Sequence, residues 1–249
     1  MNPTPEEIEL LAFKYFEAGD RDNCLATFEA LVAALGPPPF IAELHRIYSH
    51  GLLLTRSRPK WGRRQRFMSM LQYAASTLSL PGEVAECGCA RGLSAFCISA
   101  LTKSAVDPMY TGAGFHIFDS FEGLSQPQIE DGLGKNNPNM IAGKFKFSVE
   151  MVKKHLQAFP QISYYPGWIP DCFPNVADKT FRFLNLDVDL YQPTKDAVLF
   201  FYPRLVPGGL IVCDDFNWIG ARRAIEECAE ILGFKFETTN FDQAVIRAP

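Results

Sequence analysis

Residues 82–92 read GEVAECGCARG and set the pattern for most of the chain. The first half of this segment is a short apolar run typical of a buried β-strand, which we predict over residues 84–88. Two glycines follow, and apolar residues at helical spacing begin directly after them, so we predict a helix over residues 93–103. A strand, a tight glycine turn and a helix form the first unit of an α/β fold.

The same alternation of short apolar runs and helical stretches continues to the end of the chain. Strands are predicted at residues 84–88, 115–119, 162–165, 181–187, 209–213, 234–238 and 243–247. Helices are predicted between them at residues 93–103, 149–159, 194–202 and 219–232. Strands that alternate with helices form a parallel sheet with helices on its faces. The expected fold class is therefore α/β, with a doubly wound, mostly parallel seven-stranded sheet.

The N-terminal residues show a different pattern. Two amphipathic helices are predicted within residues 6–35, on either side of Ala18-Gly19-Asp20. The proline run at residues 37–39 ends the second helix and forms a stiff boundary. A single helix pair cannot build a repeat array, so we interpret it as an appendage that packs on the main domain or dimerises. Residues 1–60 are assigned to this helical appendage and residues 61–249 to the main domain.

Composition describes an ordinary globular chain. Of the 249 residues, 47% are hydrophobic and 21% are charged, which excludes disordered and collagen-like proteins. The net charge of −4 gives no attraction to nucleic acid or to anionic membranes, so neither is an expected partner. The seven cysteines are scattered, several within apolar runs, which favours reduced thiols, and the N-terminal residues lack a secretory-signal pattern. We therefore expect a cytoplasmic protein.

The turn after the first predicted strand has residues suited to a ligand. Glu86, Gly88 and Gly92 have the spacing E-x-G-x-x-x-G. Glycines allow close approach to the backbone, the following helix offers free N–H groups, and the carboxylate can bind an ammonium group. A dinucleotide fingerprint needs a further glycine between these two, so a nicotinamide cofactor is disfavoured. An ordinary glycine turn is the alternative.

A second carboxylate follows the next predicted strand. Asp119 lies about 30 residues after the glycine turn, at the adjoining strand end. Ligands of doubly wound sheets bind at such strand ends, and a carboxylate there suits a ribose diol. The alternative is that Asp119 caps a helix or stabilises a turn.

Four aspartates follow two later strands. Asp187 and Asp189 come after one strand, and Asp214 and Asp215 after the next. Neighbouring strands lie about 4.8 Å apart, so these carboxylates repel one another unless a cation or protons intervene. Oxygen ligands without His or Cys favour Mg²⁺ over manganese or calcium. Residues two apart in a strand face the same way, so one of the first pair can hold metal while the other faces a substrate proton. The alternative is four solvated helix caps.

Together these motifs resemble the macrocin O-methyltransferase family, S-adenosylmethionine-dependent enzymes that methylate sugar hydroxyls on antibiotics and related natural products. The similar blocks are GEVAE at 82–86 with Gly88 and Arg91-Gly92, FDSFEGL at 118–124, LDVDLY at 186–191, TKDA at 194–197, YPRL at 202–205, PGG at 207–209, and Asp214-Asp215. The chain departs from the family pattern at Gln192-Pro193, where Glu-Ser is common, and at several positions of the glycine turn.

The resemblance implies a class I methyltransferase with a Rossmann-like sheet, so residues 61–249 become the S-adenosylmethionine-dependent methyltransferase domain. It implies that S-adenosylmethionine lies over the first two strand ends. The implied cofactor-binding residues are Glu86, Gly88, Arg91, Gly92, Asp119, Ser120, Gly167 and Trp168. The implied ligands of Mg²⁺, or another divalent cation, are Asp187, Asp214 and Asp215, and the implied general base is Asp189.

The expected function is Mg²⁺-dependent transfer of a methyl group from S-adenosylmethionine to a hydroxyl of a sugar or natural-product glycoside, in antibiotic biosynthesis. A divalent cation orients two neighbouring hydroxyls, so we expect a small-molecule acceptor that has them. Two alternatives are a catechol or phenol acceptor, and a noncatalytic scaffold that binds a protein through its N-terminal helices. A homo-oligomer, a dimer, is expected. Residues 125–146 form a long connection that is expected to be a lid or an acceptor-binding loop.

Overall fold

A seven-stranded sheet with helices on both faces forms the centre of the computed structural model, which describes residues 3–132 and 140–249. Its strands are β1 Glu83–Cys87, β2 Phe115–Asp119, β3 Ser163–Pro166, β4 Phe181–Leu186, β5 Leu205–Cys213, β6 Phe236–Thr238 and β7 Ala244–Arg247. Their order is β3-β2-β1-β4-β5-β7-β6, and β7 is antiparallel to both of its neighbours while the other strands are parallel. The predicted fold class is confirmed.

Helices cover both faces of the sheet and form the N-terminal region. In chain order they are α1 Pro5–Glu17, α2 Arg21–Leu35, α3 Pro39–Thr55, α4 Trp61–Ser76, α5 Leu93–Ala105, α6 Val149–His155, α7 Tyr191–Phe201 and α8 Ile219–Leu232. The first two confirm the predicted helix pair. Gly36 ends α2 in the left-handed conformation, with φ 56°, and Pro39 occupies the first turn of α3. The proline run therefore ends one helix and begins another, because proline is tolerated at a helix start.

Helices α3 and α4 were not predicted. The first turns of α4 read WGRRQR, which contains too few apolar residues to show a helical period. Burial explains why the segment is nevertheless helical, since its second half packs Met68, Leu71 and Ala74 into the core. Tertiary packing supplies most of the stability of such a helix.

The N-terminal helices share one hydrophobic core with the sheet. Buried side chains of α2 and α3, among them Phe28 and Leu52, belong to the same cluster as Leu93 and Phe96 of α5. The contact is close, because a Cβ added to Gly51 of α3 would lie 2.8 Å from Leu93 Cδ1. The region predicted as an appendage therefore packs directly on the main domain, and the boundary at residue 60 stays a prediction.

A buried ion pair ties α4 to α1. Arg64 Nε donates to Glu9 Oε1 at 2.7 Å, and both side chains are almost completely buried. The guanidinium also donates to Ser49 Oγ and to the His45 carbonyl oxygen, and it lies over the Tyr48 ring. These partners satisfy the buried charge. Burial, assisted by the charge of Arg64, lowers the pKa of His45 to about 4.

We expect His45 to make the protein less stable as the pH falls. The unfolded chain has an imidazole pKa of about 6.5, so between that value and about 4 the unfolded state binds more protons than the folded state. Stability therefore rises with pH in this window and is lost on acidification, by about 2 kcal/mol between pH 7 and pH 5. Urea unfolding at these pH values should show this extra loss in the wild type but not in His45→Asn. Parallel stability curves for the two proteins would contradict the assignment.

Three general expectations can be compared with the structure. All seven cysteines are free and buried, in agreement with reduced thiols. In the part of the chain that the structure describes, every helix is too short or too polar to cross a bilayer. The predicted lid or acceptor-binding loop at 125–146 is described only in part, since residues 133–139 lie outside the described residues.

Candidate active site

A cleft of about 1220 Å³ lies at the carboxyl ends of β1, β2, β4 and β5. Strand order reverses at β1, which has β2 on one side and β4 on the other. Doubly wound sheets bind their ligands at this reversal point. The volume exceeds the roughly 300–1,000 Å³ of a typical small-molecule pocket, so the cleft has room for two ligands side by side.

Most of the predicted site residues line this cleft. They are Gly88, Arg91, Asp119, Ser120, Gly167, Trp168, Asp187, Asp189, Asp214 and Asp215. Glu86 and Gly92 do not line the cleft. Arg91 packs its guanidinium over the Phe147 ring at 4.6 Å.

The two glycines of the turn are required by close packing of the protein itself. Gly88 has φ 81°, and a Cβ there would lie 1.9 Å from the carbonyl oxygen of Asp187. Gly92 has φ 83° and is the N-cap of α5, where a Cβ would lie 3.1 Å from Val152 Cγ1. Gly88 thus lets the turn after β1 pass close to the end of β4, which brings the two strand ends into one cleft.

Glu86 is fully buried in β1. Its Oε1 accepts a hydrogen bond from Asn185 Nδ2 at 2.9 Å, and its Oε2 has no hydrogen-bond partner within the described residues. Burial raises the pKa of Glu86 to about 7, and the negative charge of Asp119 adds to the shift. The Glu86 carboxyl group therefore keeps one oxygen without a hydrogen-bond partner among the described residues.

Asp119 holds the glycine turn in place. Its Oδ2 accepts from the backbone N–H groups of Cys89 at 2.8 Å and Ala90 at 3.3 Å, and its Oδ1 accepts from the N–H of Phe121 at 2.7 Å. The turn-stabilising alternative considered for this residue is thus present in the structure. Binding of a ribose diol by Asp119 stays a prediction.

The remaining predicted cofactor residues lie around Asp119. Ser120 Oγ donates to the Gly123 carbonyl oxygen at 3.0 Å, so this hydroxyl has a local partner. The Gly167 N–H donates to the Asp119 carbonyl oxygen at 3.0 Å, which brings the neighbouring Trp168 to the cleft. The Trp168 side chain is about half exposed. Its ring is available for stacking on an aromatic base.

Asp187, Asp214 and Asp215 come together at the next two strand ends. Leu186 of β4 is in register with Cys213 of β5, so the residues that follow them are neighbours. Each of the three aspartates offers a carboxylate oxygen, and these oxygens all lie within 4.8 Å of one another. Asp215 is buried and the other two are partly buried.

Crowding of these carboxylates changes their protonation. Burial, followed by the charges of Asp215 and Asp214, raises the pKa of Asp187 well above its ordinary value. Burial, followed by the charges of Asp189 and Asp214, does the same for the pKa of Asp215. A hard divalent cation relieves such repulsion, and an all-oxygen donor set is the one it prefers. The residues present therefore fit Mg²⁺ or a similar cation.

Asp189 reaches the cleft by a different route from the one that the sequence suggested. β4 ends at Leu186, one residue earlier than predicted, and Asp189 lies beyond it in the left-handed conformation with φ 60°. Its N–H donates to Asp215 Oδ2 at 3.0 Å, which fixes the turn. Strand alternation therefore does not determine its direction. Burial, with the charges of Asp187 and Asp214, raises the pKa of Asp189 to about 7.

Sequence reasoning missed two residues beside the aspartates. Arg66 of α4 pairs with Asp214, its Nη1 lying 2.9 Å from Oδ2. Gln243 Nε2 donates to Asp214 Oδ1 at 2.9 Å and to the Arg66 carbonyl oxygen at 3.2 Å. The run of basic residues before and within α4 was a usable signal for Arg66. A single glutamine before a closing strand gives no such signal.

Comparison with known proteins adds independent findings. A family model described as Macrocin-O-methyltransferase (TylF) matches residues 62–246. The chain is 28% identical over 166 residues to the 8-demethyl-8-(2,3-dimethoxy-alpha-L-rhamnosyl)-tetracenomycin-C 4'-O-methyltransferase of Streptomyces olivaceus, a match covering 63% of this chain and 62% of that protein. It is 27% identical over 174 residues to the Mycinamicin III 3''-O-methyltransferase of Micromonospora griseorubida, covering 66% of each chain.

The matched region thus spans slightly less than two thirds of the length of these two curated relatives. Among solved structures, the calicheamicin methyltransferase CalS11 has a similar fold. Its TM-score is 0.65 at 18% identity, and the match covers 85% of this chain and 93% of CalS11.

Proposed function

We propose that this chain, which belongs to the macrocin O-methyltransferase family, transfers a methyl group from S-adenosylmethionine to a hydroxyl of a sugar or natural-product glycoside. The two curated relatives are named as O-methyltransferases of glycosylated natural products, which supports this acceptor class. The observation that carries the proposal is the convergence of Asp187, Asp214 and Asp215 in the same cleft as the glycine turn. A donor and an acceptor held side by side there meet the geometric requirement of direct transfer.

Asp187, Asp214 and Asp215 are the proposed ligands of a divalent cation, and their oxygen donors favour Mg²⁺. When bound, such a cation stabilises negative charge on a coordinated hydroxyl oxygen and orients neighbouring hydroxyls. Gln243 and Arg66 hold both oxygens of the Asp214 carboxylate and so fix its orientation. Such contacts, made by residues that are not themselves proposed ligands, orient a metal-binding carboxylate.

Asp189 is the proposed general base. It lines the cleft beside the three aspartates, and its backbone is anchored through its N–H to Asp215. An alcohol is a poor nucleophile until its proton is removed, and a carboxylate next to the acceptor oxygen performs that task. Gly88, Asp119 and Trp168, which lie at the carboxyl ends of β1, β2 and β3, form the proposed binding surface for the methyl donor.

Methyl transfer from isotopically labelled S-adenosylmethionine tests the proposal. The acceptor panel contains rhamnosides with neighbouring hydroxyls and, for comparison, catechol. We expect a labelled glycoside, loss of label transfer in EDTA, and its recovery when Mg²⁺ is added back. Transfer that continues unchanged in EDTA would contradict the metal assignment. Transfer to catechol alone would favour the phenolic acceptor, and the absence of both transfer and donor binding would favour the scaffold.

We expect Asp189→Asn to lower kcat by roughly 100-fold or more, because the amide cannot accept the hydroxyl proton. Affinity for S-adenosylmethionine should stay within about two-fold of the wild type. Single-turnover kinetics and donor titration measure the two quantities. Asp242→Asn is the matched control, since Asp242 also lines the cleft and also has a left-handed backbone, with φ 61°. Equal kcat values for both variants would remove Asp189 from the role of base.

A further inference from the structure

The cleft carries opposite charges on two of its walls. The aspartates form one wall, and the segment before α4 together with its first turn forms another, where Arg58, Lys60 and Arg63 line the cleft. The chain as a whole has a net charge of −4, yet residues 56–66 contain no acidic residue. The basic residues of this segment are Arg56, Arg58, Lys60, Arg63, Arg64 and Arg66. We call Arg58, Lys60 and Arg63 the cationic wall.

The cationic wall lacks counter-charges. Of the other cations in the segment, Arg64 is paired with Glu9 and Arg66 with Asp214. Within the described residues, Arg58, Lys60 and Arg63 form no ion pair. Arg63 Nη1 instead donates to the Arg58 carbonyl oxygen at 3.2 Å, which holds α4 close to the preceding loop. Unpaired like charges gathered on a cleft wall attract an anionic ligand.

The start of α4 adds to this positive potential. Lys60 is the N-cap of the helix and provides no side-chain acceptor for the first-turn N–H groups. The positive end of the helix dipole therefore lies next to the cationic wall. Gly62, in the first turn, lines the cleft, and a Cβ there would have nothing within 4 Å. The backbone is thus accessible to a bulky anionic group.

We infer that the acceptor carries a phosphate or diphosphate ester, as a nucleotide-activated sugar does, and that the cationic wall binds this group while the sugar hydroxyls face Asp187, Asp214 and Asp215. Arginine suits phosphate because its planar donors bind two oxygens at once, and lysine adds a point charge. The inference rests on the proposed function and narrows its acceptor class.

A comparison of charges indicates that the cationic wall binds the acceptor and not the methyl donor. S-adenosylmethionine carries one carboxylate together with an ammonium and a sulfonium group, so its net charge is positive. One carboxylate needs one or two cationic partners. Arg58, Lys60 and Arg63 supply three cations at the cleft, in addition to Arg66, which is already paired with Asp214. A diphosphate ester, with at least two negative charges, matches this wall better.

Binding of thymidine diphosphate to the full chain tests the inference directly. The protein is saturated with S-adenosylhomocysteine and kept in EDTA, so that no metal bridges the diphosphate to the aspartates. Calorimetric titration compares thymidine diphosphate with thymidine, which has the same base and sugar without the charges. We expect the diphosphate to bind at least about ten-fold more tightly than the nucleoside.

The test variant is Arg58→Gln/Lys60→Gln/Arg63→Gln. The matched control is Arg56→Gln/Lys103→Gln/Lys235→Gln, which removes three exposed cations that do not line the cleft. We expect the test variant to weaken thymidine diphosphate binding at least about ten-fold. The control variant should stay within two-fold, and both should bind S-adenosylhomocysteine like the wild type.

Equal affinities for thymidine diphosphate and thymidine would overturn the inference, and so would an unchanged affinity for thymidine diphosphate in the test variant. A test variant that loses S-adenosylhomocysteine binding instead would also overturn it, because the cationic wall would then bind the carboxylate of the methyl donor. Methyl transfer separates this failure from failure of the proposed function. If the wild type transfers methyl to a neutral rhamnoside and the test variant has an unchanged KM for thymidine diphosphate rhamnose, the proposed function stands and the phosphate inference is overturned. A higher KM for thymidine diphosphate rhamnose in the test variant but not in the control variant, with transfer to the neutral rhamnoside unchanged, supports the phosphate inference.

Discussion

Replacing Asp215 with asparagine is expected to reduce methyl transfer at least about 1,000-fold, equivalent to roughly 4 kcal/mol of transition-state stabilisation. Asp215 is the most buried of the three proposed metal ligands. The substitution removes a negative charge from the ligand set while it keeps the shape of the side chain. It also weakens the acceptor for the Asp189 N–H, which fixes the proposed base. Both effects act on the same reaction.

Two quantities are measured for this variant, kcat/KM and the affinity for Mg²⁺. The affinity is obtained from the Mg²⁺ concentration that restores activity after EDTA treatment and, independently, from calorimetric titration without acceptor. Asp131→Asn is the matched control, because Asp131 is also buried and also accepts backbone N–H groups, from Gln128 and Tyr191. The control should keep its Mg²⁺ affinity. If Asp215→Asn binds Mg²⁺ and transfers methyl groups as well as the control does, the metal site lies elsewhere.

The strand ends were the part of the site that could be predicted from the sequence. Short apolar runs mark the strands, and parallel strands bring their carboxyl ends to one edge of the sheet. The spacing of Asp187 and Asp214 after two such runs therefore sufficed to predict that they meet. The predicted elements are present for the same reason, as at α8, where residues 219–232 were predicted and Ile219–Leu232 is observed. Some bounds differ, since β5 begins at Leu205 instead of residue 209 and α6 ends at His155 instead of residue 159.

The residues that sequence reasoning missed depend on tertiary contacts. Arg66 pairs with Asp214 only because α4 packs across the end of β5. The direction of Asp189 is set by its left-handed backbone conformation, which follows the end of β4. A sequence pattern does not fix the last residue of a strand to within one position, so this turn could not be predicted. Asp119 shows the opposite problem, because a carboxylate that holds a turn and one that binds a ribose look alike in sequence.

Substituting Gly88 by alanine is expected to destabilise the protein by at least about 4 kcal/mol. Two costs add. A residue with a Cβ loses about 1–2 kcal/mol in the left-handed conformation, and Gly88 has φ 81°. The added Cβ would also lie 1.9 Å from the Asp187 carbonyl oxygen, so the end of β4 must move. That movement displaces a proposed metal ligand, so we also expect weaker Mg²⁺ binding in any folded fraction.

Two other glycines separate the cost of conformation from the cost of contact. Gly19 has φ 78° and nothing within 4 Å of an added Cβ, so Gly19→Ala should cost only about 1 kcal/mol. Gly92 has φ 83°, and an added Cβ would meet the side chains of Val152, at 3.1 Å, and Leu156, at 3.4 Å, but no backbone atom among its nearest neighbours, so Gly92→Ala should be intermediate. Urea unfolding of the three variants should therefore give the order Gly19, Gly92, Gly88. If Gly88→Ala costs no more than Gly19→Ala, the close approach of the glycine turn to β4 is not what requires glycine, and the packing of the cleft described above is wrong.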